Sequence, residues 1–162
     1  MKLSTKGRYA VMAMVDLAAN SGGKPVSLAE IAERQEISLS YLEQLFGKLR
    51  RGGLVKSLRG PGGGYLLSRS SQQTRISDIV IAVDEPLHAT RCVPGSPLGC
   101  APDSGRCLTH DLWEELGNQI HLFLSSVSLE DVIARRVLGV SGLIAHEPER
   151  NPAFPSRGAA LE

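Results

Sequence analysis

Long apolar runs are missing from this sequence. No stretch approaches the roughly 18 apolar residues that a membrane-spanning helix needs, which excludes an integral helical membrane protein. The apolar segment from Tyr9 to Ala19 is interrupted by Asp16 and lacks a small-residue cleavage site, which argues against a signal peptide. A cytoplasmic protein with no membrane partner is expected. Cysteine is scarce too: Cys92, Cys100 and Cys107 are the only three. Three thiols cannot all pair within one chain, and in a reducing compartment they favour thiolate or metal chemistry over disulfides. No acid–base pair, nucleophile constellation or open metal site is legible, so an enzyme is not expected.

Net charge is nearly absent, at +1 overall, but it is unevenly spread. Residues 1–75 carry +7 and residues 76–162 carry −6. A basic half suited to a polyanion is therefore joined to an acidic half with another task. With 162 residues, 42% hydrophobic, 22% charged and 4% aromatic, the chain fits one compact unit with extensions rather than two cores or a disordered polymer.

The pattern predicts a mainly helical fold with a small β-hairpin. Tyr9, Met12, Ala13 and Leu17 fall on one helical face. Ser27-Leu-Ala-Glu30 has the capping-box form and opens a short helix to about Arg34. A turn of about four residues leads to a second helix, with Ser38 or Ser40 as N-cap and Leu42, Leu45, Phe46 and Leu49 as its buried stripe. This is a helix-turn-helix, whose second helix is the one offered to DNA. Two strands, Leu54–Arg59 and Tyr65–Ser68, flank Gly60-Pro-Gly-Gly-Gly64 and make a wing. The glycines do not form a nucleotide site, since a phosphate loop runs from strand into helix and here a strand follows.

A short helix is expected from Ser77 to Asp84 with Ile79, Val80 and Val83 inward, then a Pro/Gly/Cys-rich loop over 85–108 that needs a staple to be ordered. Thr109 caps a longer helix, and Ser128-Leu-Glu-Asp131 caps a last one ending near Gly139. The domain plan is thus a winged helix-turn-helix at 1–84, a cysteine-bearing loop at 85–108, a longer helix and short final helix at 109–140, and a disordered tail at 141–162; the loop and the longer helix are assigned to cluster binding and dimerisation on the residues described next.

Three constellations carry function. The first is the DNA interface: Ser38, Ser40, Tyr41, Glu43 and Gln44 at the start of the recognition helix, Lys48 with Arg50, Arg51 and Lys56 as phosphate contacts, and Arg59 with Gly60 at the wing tip. Gln44 suits adenine, and Arg59 suits a narrow, electronegative minor groove. Glu43 is repelled by phosphates unless it accepts from a cytosine amino group, so its role is to reject wrong sites.

The second is Cys92-x7-Cys100-x6-Cys107-x2-His110. Zinc is one occupant, but structural zinc sites usually carry a tight two-cysteine knuckle that this loop lacks. The wider spacing suits a two-iron cluster. Arg91 and Arg106 adjoin two of the cysteines and favour thiolates. The third is the seam Leu112, Leu116, Ile120, Phe123 and Val127, recurring at steps of four, four, three and four, which fits a partner helix and hence a homodimer with two recognition helices.

These segments resemble the family of winged-helix transcription regulators of the IscR/NsrR type. The likeness covers about residues 1–140 and is carried by Lys6–Ala10, Ile37–Phe46, Arg59–Leu67, Ala82–Glu85, Ala89–Cys92, Cys107-Leu-Thr-His110 and Leu112-Trp113. It implies a 2Fe-2S cluster on Cys92, Cys100, Cys107 and His110, able to be absent in an apo form. It also implies a homodimer that represses cluster-assembly genes when loaded and regulates other promoters with or without the cluster, with cluster donors of the assembly machinery as partners. The family's groove-reading positions fall on Ser40, Tyr41, Glu43 and Gln44, and its minor-groove arginine on Arg59. The gaps between cysteines are longer here than the family's usual pattern, a difference that a loop absorbs at small entropic cost. Other expectations remain open: a nitric-oxide or iron-status sensor of the same family, a zinc-stabilised repressor, or an iron-sulfur electron carrier or enzyme component.

Overall fold

A computed structural model describes residues 5–84 and 105–137. Cys92, Cys100, most of the 85–108 loop, Gly139 and the tail from Ser141 lie outside the described residues. The order is α1 (Thr5–Asn20), α2 (Leu28–Gln35), α3 (Leu39–Arg51), β1 (Val55–Leu58), β2 (Gly64–Leu67), α4 (Ile76–Ala82), α5 (His110–Ser126) and α6 (Leu129–Ile133). β1 and β2 form an antiparallel hairpin in which Val55 faces Leu67 and Leu58 faces Gly64.

Local hydrogen bonds set several boundaries. At the start of α2, the Ser27 hydroxyl accepts from the Glu30 N–H while the Glu30 carboxylate accepts from the Ser27 N–H at 2.8 Å, the reciprocal box expected from the sequence. Ser128 and Asp131 repeat it at α6. α3 begins after Ser38, whose side chain makes no capping bond; its carbonyl instead accepts from Tyr41 and Leu42. Thr109 precedes α5 but its hydroxyl accepts from Trp113 Nε1 at 3.2 Å rather than from the backbone. α4 starts one residue earlier than expected, with Ser77 buried inside it, and α6 ends at Ile133, well short of Gly139.

One core joins α1, α2, α3, α4, the base of the hairpin and α6. Leu42, Leu45, Phe46 and Leu49 supply the α3 side, Ile79, Val80 and Val83 the α4 side, and Phe46 meets Tyr65 edge-on at 4.9 Å between ring centres. α1 presents Ala10, Ala13, Met14 and Leu17 to this core, so its buried face is rotated from the expected one: Met14 is enclosed, and Tyr9 and Met12 lie at the margin. The small alanines let α1 approach its neighbours closely, and each fully buried Leu or Met side chain adds about 2 kcal/mol.

The wing is tied to this body by a third extended piece. Val26 N–H donates to the Tyr65 carbonyl at 3.0 Å and Tyr65 N–H returns a bond to Val26 at 2.8 Å. Gly64 lies against that bridge, where a Cβ would run into the Val26 carbonyl. Gly60 and Gly62, with φ of 104° and 74°, turn the tip. The glycine run therefore serves a fixed close approach at one end and a turn at the other.

Candidate nucleic-acid interface and metal centre

α3 displays Ser40, Glu43 and Gln44 as exposed residues on the surface away from its buried stripe, and Ser38, just before the helix, is exposed as well. Tyr41 is half-buried, its ring edge-on to Tyr9 of α1 at 6.1 Å between centres. Tyr9 thus belongs beside the candidate interface. Its helical spacing from Ala13 gives no sign of this contact, since it shows only that the two share a face of α1. Lys48 lies one turn beyond Gln44, and its Nζ donates to Asp84 Oδ2 at 2.7 Å. Among the basic neighbours, Arg50 Nη1 reaches the Ser57 hydroxyl at 3.4 Å, linking α3 to β1. Arg59 and Gly60 are exposed at the wing tip.

The angle between α1 and the helix-turn-helix is held by a buried carboxylate. Asp16 is 5% exposed and takes Arg34 Nε and Nη2 on its two oxygens, the latter at 2.7 Å, plus Gln35 Nε2 at 2.8 Å. Burial alone would raise its pKa. The hydrogen bonds from Arg34 and Gln35 and the Arg34 charge outweigh this and hold it below the ordinary carboxylate value.

The turn into α5 carries both Cys107 and His110. His110 N–H donates to the Cys107 carbonyl at 2.9 Å, so both side chains leave one turn of backbone. The Thr109 hydroxyl lies 3.7 Å from Cys107 Sγ. His110 is buried, and its Nε2 is 3.5 Å from Glu114 Oε2. A cysteine sulfur and an imidazole from one turn, with a hydroxyl near the sulfur and a carboxylate near the ring, are ligand types that an iron-sulfur cluster takes. His110, Asp111 and Glu114 also bring ligand atoms within 4.8 Å of one another.

α5 meets the rest of the chain chiefly at α4. Its outward residues include Leu112, Leu116 and Phe123, at 62%, 38% and 49% exposure, with Ile120 half-buried between them. Val127 departs from the expected seam. The chain leaves helical geometry there, the Val127 carbonyl accepts from Ile76 N–H at 3.0 Å, and the side chain joins the core. The turn after α5 pairs Arg75 with Ser128 as an isolated bridge, and this carries Val127 inward.

The model of the Rrf2 family, described as iron-dependent transcriptional regulators, matches residues 3–135. The chain belongs to the Rrf2 family. Among its relatives, an HTH-type transcriptional regulator IscR of Photorhabdus laumondii is 51% identical over 153 residues, covering 94% of this chain and 92% of that one. A putative HTH-type regulator of Azotobacter vinelandii is 58% identical over 136 residues, covering 83% and 80%. Of solved structures, T. potens IscR is similar with a TM-score of 0.66 at 38% identity, covering 84% of this chain and 88% of that one. The cysteine regulator CymR of B. subtilis is similar with a TM-score of 0.68 at 34% identity, covering 83% and 98%. This Rrf2 protein is accordingly a winged-helix, DNA-binding transcription regulator of the IscR type and not an enzyme. No helix among its described residues is long and apolar enough to cross a membrane.

Proposed function

We propose that the chain is an iron-sulfur-responsive repressor that works in the cytoplasm as a homodimer and controls genes of cluster assembly. The observation that carries this reading is the single turn presenting Cys107 and His110 together. Cys92, Cys100, Cys107 and His110 are the proposed ligands of a 2Fe-2S cluster, the first two lying outside the described residues. When bound, such a cluster supplies a redox-sensitive and labile cross-link between the 85–108 loop and the start of α5. His110 would be the one neutral ligand of the set, beside three thiolates. Cluster donors of the assembly machinery are the proposed partners for loading.

In this reading residues 1–84 bind DNA and residues 109–140 dimerise. Ser40, Tyr41, Glu43 and Gln44 read base edges in the major groove, Ser38 adjoins them, and Arg59 with Gly60 enters the minor groove. Leu112, Leu116, Ile120 and Phe123 meet a second copy. Anaerobic purification followed by an absorption spectrum with iron and acid-labile sulfide analysis tests the cluster. Equal iron and sulfide with visible absorption is expected; iron-free protein from iron-replete cells overturns it. A second reading, a sensor of iron status, is favoured by the proximity of His110, Asp111 and Glu114. Iron without sulfide, lost on Glu114→Ala, distinguishes it.

A further inference from the structure

The exposed stripe of α3 does not end at Gln44. Ser40, Gln44 and Lys48 follow at intervals of four residues and share one helical face. The first two are exposed, whereas the Lys48 ammonium is turned onto protein and bonded to Asp84. Only 29% of the Lys48 side chain is exposed, against 75% of Asp84, so the carboxylate is the more solvent-facing member.

Asp84 is itself firmly placed. Its φ of 55° is left-handed, a conformation that Asp adopts more readily than most residues. Its N–H donates to the Ile81 carbonyl at 2.9 Å, and its own carbonyl accepts from Lys6 Nζ at 3.1 Å. The Lys48 hydrogen bond, then the Lys48 charge, with smaller contributions from Lys6 and Arg51, hold the carboxyl below its ordinary value. It is therefore an anion at neutral pH, surrounded by cations of α1 and α3. The ends of α3 and α4 are also in close contact, since a Cβ at Gly52 would lie 2.9 Å from that of Ala82. This packing keeps the backbones that carry Lys48 and Asp84 near one another, so the lysine can reach the carboxylate.

We propose that Asp84 acts as an internal substitute for a DNA phosphate, occupying Lys48 so that discrimination rests on the base-reading residues of α3. Sequence-independent affinity grows with the number of phosphates neutralised by lysine and arginine. A carboxylate bonded to Lys48 subtracts one such contact. Such a contact carries no sequence information, so its loss lowers affinity at right and wrong sites alike and leaves stable attachment dependent on the base contacts. Asp84 is thus a positioning residue for DNA recognition. This rests on the reading that α3 faces DNA.

The test uses the full chain, a duplex that the wild-type protein enriches from a random pool, and a scrambled duplex, titrated by fluorescence anisotropy across a salt series. Asp84→Asn keeps a residue that tolerates left-handed φ, and Asp84→Gly serves as a second variant. Both are expected to bind the scrambled duplex about threefold to tenfold tighter, with the log–log salt slope steeper by about 0.9, the value for one added phosphate contact. Adding Lys48→Met is expected to abolish both changes. An unchanged slope in both variants, or a gain that survives Lys48→Met, overturns the proposal. Gln44→Ala separates the underlying reading: lost discrimination supports the placement of α3 on DNA, and wild-type discrimination overturns that placement together with the proposal.

Discussion

Asp16 of α1 and Arg34 of α2 are locked side to side, with Nε 3.1 Å from each carboxylate oxygen and Nη2 2.7 Å from one of them. This pair holds the first helix of the helix-turn-helix against the helix that underlies it. Asp16→Ala is expected to lower stability by about 2 kcal/mol, the scale of charge-assisted hydrogen bonds lost from a partner that can still reach water. A shift in the urea midpoint without a change in slope checks this.

The same pair fixes a pH dependence. The Asp16 carboxyl lies lower in the folded protein than in the unfolded chain, so its stabilisation is fully present above the unfolded value near about 4 and is lost as pH falls through the folded value. Wild type is expected to lose stability more steeply than Asp16→Asn on acidification below about pH 5. Parallel thermal melts of both proteins across that range provide the comparison, and identical pH profiles count against the pair as the source.

Gly64→Ala is expected to cost about 2 kcal/mol through overpacking, because the new methyl group meets the Val26 carbonyl at the bridge between the wing and the body. Displacing the wing also weakens DNA binding. Gly53→Ala provides a contrast: it meets nothing within 4 Å, and its cost comes from the φ of 71° instead. Chemical denaturation and DNA titration of the two variants separate steric clash from backbone strain.

Phe123→Glu and Val127→Glu, only four residues apart, are expected to fail differently. Phe123 is 49% exposed, so a carboxylate there leaves the chain folded and gives monomers in sedimentation if α5 is the dimer contact. Val127 is 9% exposed within the core, so the same change buries an unpaired charge and unfolds the protein, at a cost above about 3 kcal/mol. Folded dimers of Phe123→Glu would move the interface off that part of α5.

Cys107→Ser is expected to abolish visible absorption in protein purified without oxygen, while His110→Ala retains colour at first and loses iron to a chelator at least about tenfold faster than wild type. Chelator kinetics followed by absorbance give the rates. Equal iron retention in wild type and His110→Ala would count against His110 as a ligand.

Much of this protein was legible before any coordinates. The boxes Ser27/Glu30 and Ser128/Asp131, the buried stripe from Leu42 to Leu49 and the strand pair around the glycine run depend on bonds and periods spanning a few residues, which the order of residues determines by itself. The proximity of Cys107 to His110 is of the same kind. Only the tertiary structure decided that Asp16 finds Arg34, 18 residues away, and that Lys48 finds Asp84, 36 residues away. It also drew Val127 out of the helical seam into the core, through a backbone bridge to the segment before α4. Spacing along a chain fixes which face a residue occupies. It does not say which distant charge or carbonyl will stand opposite that face, because this depends on how helices separated by loops are packed around a shared core.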